Sequence, residues 1–416
     1  MTIDVKLAGL YQSISGMSGK RSGAYEAVTG VFAKTGGAYG DNLLGSLPWR
    51  AVSAGVNFPR ENFTQTGSPT LTSMMSRTFV PVHQNIPGFR LVLPHASWNS
   101  TLHTERIPSG VTTCRASWEW PIGTETQITV GGQDTFALAN GPFTVTDFMP
   151  IAHAKGDSPV FRCWRVCDTP GELPVTIRLT TGDTATYGTS VADQTGGGTV
   201  ANTGSLSYHP SAMIAQGNFI APFLGGDSRC MGTNDTIDAT GSLGELARSF
   251  GLDVGYVNSA VGSDRADWFI NSHSIRASLQ QYCSHVVWEM AVNNFGASQT
   301  AAQVLAFNKQ IRNEIFPSLP FYQTTTTVAQ SNAATQASYN AQRIAFNNLL
   351  RAGVADFTGF FDLANAIESA TYNSGVLAQD GGWFASSTYT ADFLHCSQPG
   401  YVAIRDSGLM RASMLA

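Results

Sequence analysis

The chain has few charged residues and no marked excess of either sign. Asp, Glu, Lys and Arg make up 13% of its 416 residues, about half the usual share, and the formal net charge is −5. Because binding to nucleic acid or to an anionic membrane surface relies on clustered Lys and Arg, we expect neither partner. The 42 glycines, with Ser and Thr, take the place of the charges. Such a surface favours an extracellular, polysaccharide-facing or virion-associated protein.

Long hydrophobic runs are also missing from the sequence. No apolar stretch approaches the roughly 18 residues that a membrane-spanning helix needs, so we expect no such helix. The first residues, Met1 to Leu7, contain no basic stretch followed by an apolar one, and no secretory signal is recognisable there. An extracellular protein with this start would have lost its signal or would leave the cell by another route.

Cysteine is sparse, and the thiols are scattered over the chain. The six are Cys114, Cys163, Cys167, Cys230, Cys283 and Cys396. Cys163 and Cys167 are close in sequence, but their segment alternates like a strand, and four residues of strand span about 13 Å. Since a disulfide needs Cα atoms within about 7 Å, we expect free thiols there. A zinc site is the alternative, yet no set of Cys and His residues has metal-ligand spacing.

The pattern of apolar residues predicts three regions, of which two are domains. Residues 1–80 are rich in Gly, Ser and Thr and predict a loop-rich segment. Residues 81–204 predict a mostly β accessory domain of sandwich or jelly-roll type, followed by a linker over 180–204. In residues 205–416, strands alternate with helices, which predicts a parallel sheet covered by helices on both faces.

The predicted elements can be assigned to short ranges of the sequence. In the accessory domain we predict strands at 89–93, 113–120, 125–130, 143–148, 160–167 and 174–179. In the C-terminal region we predict strands at 219–224, 254–258, 285–291, 319–324 and 356–362. Helices are predicted at 242–250, 265–282, 300–315, 335–350 and 400–414. Ser242 and Glu245 have the spacing of a capping box for the first of these helices.

Three residues with complementary chemistry stand near the ends of these elements. Gly226-Asp227-Ser228 follows the first strand of the C-terminal region, and Asp392 precedes His395 by one turn of chain. A serine hydroxyl needs a base to take its proton and a third group to orient that base. The sequence therefore predicts a hydrolase with Ser228 as nucleophile, His395 as base and Asp392 as the orienting carboxylate. We interpret Asp227 as a turn former that binds local N–H groups.

The order and spacing of these motifs resemble those of the SGNH hydrolases, also called the GDSL esterase/lipase family. The resemblance covers about residues 217–416 in four blocks: Gly226-Asp227-Ser228, Gly262, Asn293 and Asp392-Phe393-Leu394-His395. Three positions depart from the family pattern. Ala291 and Asn294 replace the Gly and Asp of the third block, and Cys396 replaces a common proline.

The resemblance implies a mechanism and a set of site residues. Ser228, His395 and Asp392 would form the triad and pass through an acyl-enzyme. The N–H groups of Ser228 and Gly262 and the side-chain amide of Asn293 would bind the oxyanion. Asn294 remains the alternative to Asn293. The resemblance also implies that no metal or organic cofactor is needed.

A β-domain ahead of such a hydrolase favours a carbohydrate esterase that removes O-acetyl groups from a saccharide or polysaccharide. The alternative enzyme is a general short-chain carboxylesterase or lipase. The alternative of another class is a carbohydrate-binding protein or a structural protein of a phage or cell surface. We expect the β-domain to fold separately, so that its removal would spare turnover of small esters. The tryptophans of this domain either stack on sugars or belong to its core; they are Trp98, Trp118, Trp120 and Trp164.

Overall fold

The protein is described here from a computed structural model. The described residues are 2–7, 10–15, 33–35, 38–40, 47–61, 70–138, 141–177, 182–203, 206–236, 238–329, 333–371 and 374–416. The chain divides into two compact units, Met1–Pro48 with Gln216–Asn218, and Trp49–Ala215 with Phe219–Ala416. Within the described ranges, no helix is long and apolar enough to cross a membrane.

The smaller unit contains two antiparallel hairpins. Strand β1 (Thr2–Leu7) pairs with β2 (Leu10–Ser15), and β3 (Ala33–Thr35) pairs with β4 (Ala38–Gly40). The prediction of a loop-rich segment over 1–80 is wrong at these strands. Alternating apolar residues in TIDVKL are a strand signal that the high Gly and Ser content obscured. Much of the rest of this predicted segment lies outside the described residues.

The N-terminal part of the larger unit is built from strands. They are β5 Trp49–Ala51, β6 Arg60–Glu61, β7 Ser73–Phe79, β8 Arg90–Pro94, β9 Ser97–Asn99, β10 Thr104–Arg106, β11 Thr112–Glu119, β12 Glu125–Ile128, β13 Thr135–Leu138, β14 Phe143–Val145, β15 Val160–Cys167, β16 Pro174–Ile177, β17 Thr184–Gly188, β18 Leu206–Ser207 and β19 Ala212–Gln216. They form sheets of order β10-β9-β6-β16-β18, β12-β11-β15-β7-β17 with β13 on β11, and β14-β8-β19-β5. The prediction of a mostly β region is confirmed, while its assignment as a sandwich or jelly roll stays a prediction.

One strand of this region corrects the sequence analysis. Within the predicted linker 180–204, β17 pairs antiparallel with β7 and closes one edge of the six-stranded sheet. Its Ala185 side chain is fully buried. The Gly- and Thr-rich composition of the segment led to the linker prediction, but β-branched Thr is also a strand former.

The cysteines, and the tryptophans for which the sequence allowed either sugar stacking or a core position, lie mostly in the core. All six cysteines are free and buried, which confirms the expected free thiols at Cys163 and Cys167. Trp98 and Trp118 are also buried in the core. The Trp164 indole donates to the Val191 carbonyl, at 2.7 Å. The surroundings of these three tryptophans favour a packing role over sugar stacking.

The C-terminal part of the larger unit contains a five-stranded parallel sheet. Its strands are β20 Pro222–Gly225, β21 Val257–Asn258, β22 His285–Trp288, β23 Phe321–Thr324 and β24 Gly359–Phe361, in the order β21-β20-β22-β23-β24. All four pairings are parallel. A small antiparallel pair, β25 Glu368–Ser369 and β26 Trp383–Phe384, follows. The predicted parallel α/β architecture is confirmed, and its strand order reverses next to β20, where sheets of this type place their sites.

Seven α-helices connect and follow these strands among the described residues. They are α1 Gly244–Phe250, α2 Ala266–Asn271, α3 Ser274–Ser278, α4 Val292–Gly296, α5 Ala301–Gln310, α6 Ala333–Arg351 and α7 Gln398–Ser407. Short 3₁₀ turns cover Leu279–Tyr282, Leu363–Ala366, Ser387–Tyr389 and Ala412–Met414, and a π turn covers Ile311–Ile315. The single helix predicted over 265–282 is therefore broken into α2, α3 and a 3₁₀ turn.

The two helix N-termini with capping signals behave differently. Thr300 forms a complete capping box with Gln303 at the start of α5. The capping box predicted at Ser242 is wrong, because Leu243 is the N-cap of α1 and makes no side-chain bond. Instead, the Ser242 hydroxyl accepts a bond from the buried Tyr256 hydroxyl at 3.3 Å. A tertiary contact has taken the side chain that the local pattern assigned to the helix.

The β region and the parallel sheet share one hydrophobic core. Val92 and Ile214, from β8 and β19, belong to the same buried cluster as Phe223 and Val257, from β20 and β21. Backbone bonds also join the two regions: the Tyr256 N–H donates to the Ser53 carbonyl (3.0 Å), and the Phe58 N–H donates to the Ala260 carbonyl (3.2 Å). The predicted boundaries at 80 and 204 stay predictions, but both fall inside the core-bearing unit.

Buried ion pairs also join the β region to the region of the parallel sheet. Glu105 on β10 accepts from the N–H groups of Ile275 and Arg276 at the start of α3, at 2.7 and 3.1 Å. The Arg276 guanidinium binds Glu105 and, on its other side, Asp264. Since breaking a buried ion pair leaves an uncompensated charge, the α3 region depends on a carboxylate supplied by the β region.

Candidate active site

The nucleophile motif lies in a tight turn directly after β20. A Cβ on Gly225 would lie 2.0 Å from the Trp288 ring, and one on Gly226 would lie 2.3 Å from the Cys230 Cβ. Only glycine fits these two positions. The Asp227 carboxylate accepts the Arg229 N–H at 3.0 Å, as expected for a turn former. The turn places Ser228 at the carboxyl edge of the sheet.

The structure brings together the three residues predicted as the triad. The Ser228 Oγ lies 2.8 Å from the His395 Nε2, and the His395 Nδ1 lies 2.7 Å from the Asp392 Oδ2. With the Nδ1 proton directed at the carboxylate, Nε2 can accept the proton of the serine. This is the geometry of a nucleophile, a base and an orienting carboxylate in series.

Local hydrogen bonds fix the Asp392 carboxylate. Its Oδ1 accepts the backbone N–H groups of Leu394 (2.9 Å) and His395 (2.7 Å), and the Asn234 amide donates to Oδ2 at 2.9 Å. Partial desolvation opposes ionisation of this carboxyl. The bonds from the His395 backbone and ring outweigh that cost and lower the pKa of Asp392 to about 2. The carboxylate therefore stays ionised at neutral and mildly acidic pH.

This low pKa gives a prediction for the pH dependence of the rate. If Ser228, His395 and Asp392 act as a triad, Asp392 stays ionised while the rate rises, and log kcat/KM should increase with a slope of about one on its acid side. Rates on a neutral ester from about pH 3.5 to 8 measure that slope. A slope of two would show that the carboxylate titrates together with the imidazole.

The same pKa has a consequence for stability. The pKa is lower in the folded protein than the usual 3.8. The contribution of the carboxylate to stability is therefore complete above that usual pKa and is lost as the pH falls toward 2. Because the side chain is partly exposed, solvent screening keeps this contribution small.

A buried charge cluster lies behind the nucleophile turn, and the sequence analysis did not identify it. Arg229 donates to the carbonyls of Val328 and Leu394, at 3.1 and 3.0 Å. Desolvation raises the pKa of Asp227 to about 7 and raises the pKa of the Glu289 carboxyl well above its ordinary value. Through Leu394, Arg229 connects the serine turn to the loop that carries His395. The signal for this cluster in the sequence was Arg229 itself, because a charged residue directly after Ser228 is unusual in a chain with so few charges.

Asn293 lies beside the nucleophile turn at the start of α4. Its side-chain amide donates to the Asp227 Oδ2 at 3.0 Å and to the Asp264 carbonyl at 2.9 Å. Both amide hydrogens are therefore engaged. To bind an oxyanion, this amide must exchange one of these two acceptors for the substrate oxygen.

Asn294 has a different set of contacts. It is fully buried, its Oδ1 accepts the Ala266 N–H at 3.1 Å, and its amide donates to Asp267 and Gln299. These bonds anchor the start of α2. Both asparagines have their amide hydrogens engaged, but Asn293 is only half-buried and contacts the nucleophile turn, whereas Asn294 is closed off from any substrate. The contacts favour Asn293 over Asn294 as the oxyanion residue.

We predict different effects of replacing the two asparagines, one on turnover and the other on stability. Asn293→Ala should lower kcat about 10²- to 10³-fold with little change in KM, because an oxyanion donor acts in the transition state. Asn294→Ala should mainly lower the melting temperature, because it leaves buried partners unsatisfied. Steady-state kinetics and thermal unfolding of both variants measure this. A large kcat loss only in Asn294→Ala would assign the role to Asn294.

Gly262 lies in the loop after β21, as predicted. The preceding Val261 N–H donates to the Gly226 carbonyl at 3.3 Å and ties this loop to the nucleophile turn. Gly262 does not have a positive φ, so backbone conformation does not require glycine here. A Cβ there would lie 2.3 Å from the Nη2 of Arg60, so a side chain at this position would push the guanidinium out of its present place. Arg60 is not among the site residues predicted from the sequence.

The blocks of the resemblance occupy equivalent places in the sheet. Ser228 follows β20, Gly262 follows β21 and Asn293 follows β22, while the C-terminal loop returns His395 to the serine. The sheet order and parallel pairing are those of a doubly wound fold. The C-terminal half therefore has the parallel α/β fold that the sequence predicts. This sheet agrees with the family resemblance, which stays a prediction beyond the α/β architecture.

Comparison with known proteins gives structural similarities at low sequence identity. No family model and no curated protein matches it. A lipolytic protein of the G-D-S-L family from Desulfitobacterium hafniense is 12% identical over 46% of this chain and 99% of its own, with a TM-score of 0.34. A catalytic mutant of an acetylxylan esterase from Geobacillus stearothermophilus is 14% identical over 46% and 93%, with a TM-score of 0.32. A salicylyl-acyltransferase from a tetracycline biosynthetic pathway is 15% identical over 80% and 79%, with a TM-score of 0.29.

Proposed function

We propose that the protein is a serine hydrolase of carboxylic esters. The observation that carries this proposal is the unbroken series of short contacts from the Ser228 Oγ through the His395 imidazole to the Asp392 carboxylate, at 2.8 and 2.7 Å. A serine bonded to a histidine that a carboxylate orients is the arrangement that makes a hydroxyl nucleophilic.

In the proposed mechanism, each residue of the triad has one task. His395 accepts the Ser228 proton as the Oγ attacks the ester carbonyl, and Asp392 stabilises the imidazolium that forms. His395 then protonates the departing alcohol, which leaves an acyl-enzyme on Ser228. Water, activated by His395, attacks the acyl-enzyme and releases the acid.

The negative charge of the tetrahedral intermediate is proposed to be held by three donors. They are the backbone N–H groups of Ser228 and Gly262 and the side-chain amide of Asn293. Support for this set comes from the contacts of the Gly262 loop and of Asn293 with residues of the nucleophile turn. Backbone N–H groups held by such loops need little reorganisation when the charge develops, whereas the Asn293 amide must first release one of its two acceptors.

The proposed substrate is an O-acetylated saccharide or polysaccharide. The β region supports this choice, because it packs against the catalytic region in one core and reaches the Gly262 loop through Arg60. A polymer could therefore be held by one region while its ester is cleaved by the other. A general short-chain carboxylesterase remains the alternative enzyme. The aligned triad favours an enzyme over a purely binding or structural protein.

A panel of esters tests this proposal. We expect measurable turnover of p-nitrophenyl acetate, a steep decline of kcat/KM toward butyrate and octanoate, and acetate release from acetylated polysaccharides. Ser228→Ala protein provides the background rate. A preference that rises with chain length would favour a lipase or general carboxylesterase. Wild-type rates no higher than those of Ser228→Ala on every ester would reject the hydrolase assignment.

A further inference from the structure

Arg60 is a cationic side chain that the β region contributes to the candidate site. It lies on β6, where it pairs with Trp98 of β9 and Val175 of β16. Its Nη2 lies 3.3 Å from the Met231 Sδ and occupies the space where a side chain on residue 262 would lie. Met231 is three residues beyond the nucleophile, and Gly262 is the candidate oxyanion glycine. The guanidinium therefore sits beside both loops that frame the Ser228 turn.

The charge of Arg60 has no counter-charge within the described residues. No carboxylate there forms an ion pair with it, and its buried Nε has no hydrogen-bond partner. Fully buried arginines of the chain have stronger partners. Arg162, Arg276 and Arg343 each bind a carboxylate. Arg165 and Arg229 donate to backbone carbonyls, and among the described residues the half-buried Arg60 makes neither kind of contact. A thioether sulfur is only a weak acceptor. Most of the hydrogen-bonding capacity of Arg60 is therefore unused.

An arginine left in this state is unfavourable for the free protein. Burial disfavours the charged form and lowers the pKa of the Arg60 guanidinium, although the group stays protonated at neutral pH. Desolvating a charge without a partner costs free energy. An anion that enters the site would supply the missing partner. A charged group that is unfavourable in the free protein and gains a partner when a ligand binds is typical of a ligand-binding site.

We propose that Arg60 is a specificity-determining residue that binds a carboxylate of the substrate close to the scissile ester. This inference rests on the proposed function and narrows its substrate class to esters that carry an acidic group. The planar guanidinium can bind a carboxylate with two parallel N–H···O bonds, and a lysine at this position could not. Gly262 serves the same contact, because a Cβ on residue 262 would collide with the guanidinium in its present position.

The carboxylate could belong to either half of the ester, and matched substrates separate the two sources. On the alcohol side, the acetyl ester of 4-hydroxybenzoate is compared with the acetyl ester of methyl 4-hydroxybenzoate. On the acyl side, mono-4-nitrophenyl glutarate is compared with 4-nitrophenyl pentanoate. An alcohol-side preference corresponds to an acetylated acidic sugar, and an acyl-side preference corresponds to a half-ester of a dicarboxylic acid.

The test compares wild type, Arg60→Gln and Gly262→Ala on these pairs. For the preferred pair, we expect Arg60→Gln to lower kcat/KM on the anionic ester about 10- to 100-fold more than on its neutral partner, as expected for losing a hydrogen bond to a charged group. Gly262→Ala keeps its backbone N–H but displaces the guanidinium, so it should show the same selective loss. Arg50→Gln is the matched control, since Arg50 lies on β5 and its guanidinium donates to the Gln281 carbonyl, away from the Ser228 turn.

Binding to the Ser228→Ala protein tests the contact without turnover. By calorimetry, the carboxylate-bearing ester of the preferred pair should bind about 10-fold or more weakly when Arg60→Gln is added. Equal losses on anionic and neutral esters, or no loss in either assay, would overturn the inference. Absence of ester turnover by the wild type would reject the proposed function instead, while the calorimetric comparison would still decide the role of Arg60.

Discussion

Replacing Ser228 by alanine is expected to lower kcat about 10⁴-fold or more, because the covalent route is lost with the hydroxyl. The loss should appear in kcat with little change in KM, since the hydroxyl contributes to bond formation more than to substrate binding. Ser318→Ala is the matched control, because Ser318 is exposed and has no place in the site. Initial rates on p-nitrophenyl acetate, with enzyme concentration raised for the variant, measure the effect.

His395→Ala should lower kcat nearly as far, and the double variant should be barely worse than either single one. Ser228 and His395 perform one step together. Once either side chain is removed, removing the other should therefore lower kcat only slightly further. Losses that multiply fully in the double variant would show that the two side chains act independently. The 2.8 Å contact between them would then be structural only.

A chain that begins at residue 206 is expected to be insoluble or unfolded and to have no activity even on p-nitrophenyl acetate. The truncation removes β8, the partner of β19, and exposes the face of the core that contains Phe223 and Val257. It also removes Glu105, which leaves the buried Arg276 with Asp264 as its remaining carboxylate partner. Loss of one partner of a buried ion pair costs about 3–5 kcal/mol by itself, a large part of the stability of a typical domain.

Soluble yield, circular dichroism and cooperative thermal unfolding of the truncated chain measure this prediction, with the full chain as reference. The sequence alone predicts the opposite, an independent catalytic domain that retains small-ester turnover. A soluble fragment that unfolds cooperatively and turns over p-nitrophenyl acetate would confirm the independent module and contradict the importance of the shared core.

The features that the sequence predicted well depend on short stretches of chain. The spacing of apolar side chains distinguishes strands from helices. Strands that alternate with helices along the chain then predict a parallel sheet. The Asp392 and His395 contact was also predictable, since three residues of chain suffice to bring the carboxylate beside the imidazole. The Ser228 contact required the family resemblance, because 167 residues separate serine from histidine.

The features that the sequence did not predict depend on contacts between distant residues. Arg60 and Met231 are 171 residues apart, and Arg276 and Glu105 are also 171 residues apart. Nothing in the local pattern marks either arginine, because an isolated charge in a strand or helix usually faces solvent. The division between Asn293 and Asn294 likewise needed the structure, since adjacent identical side chains differ only in what surrounds them.

The most direct test of the proposed mechanism is covalent labelling with a serine-directed phosphonate. Intact mass should increase by one adduct per chain, and peptide mapping should locate that adduct on Ser228. His395→Ala should slow labelling strongly, because the hydroxyl loses its base. A single adduct on Ser228 is the result that we predict, and no adduct, or one on another serine, would contradict the assignment of Ser228 as the nucleophile.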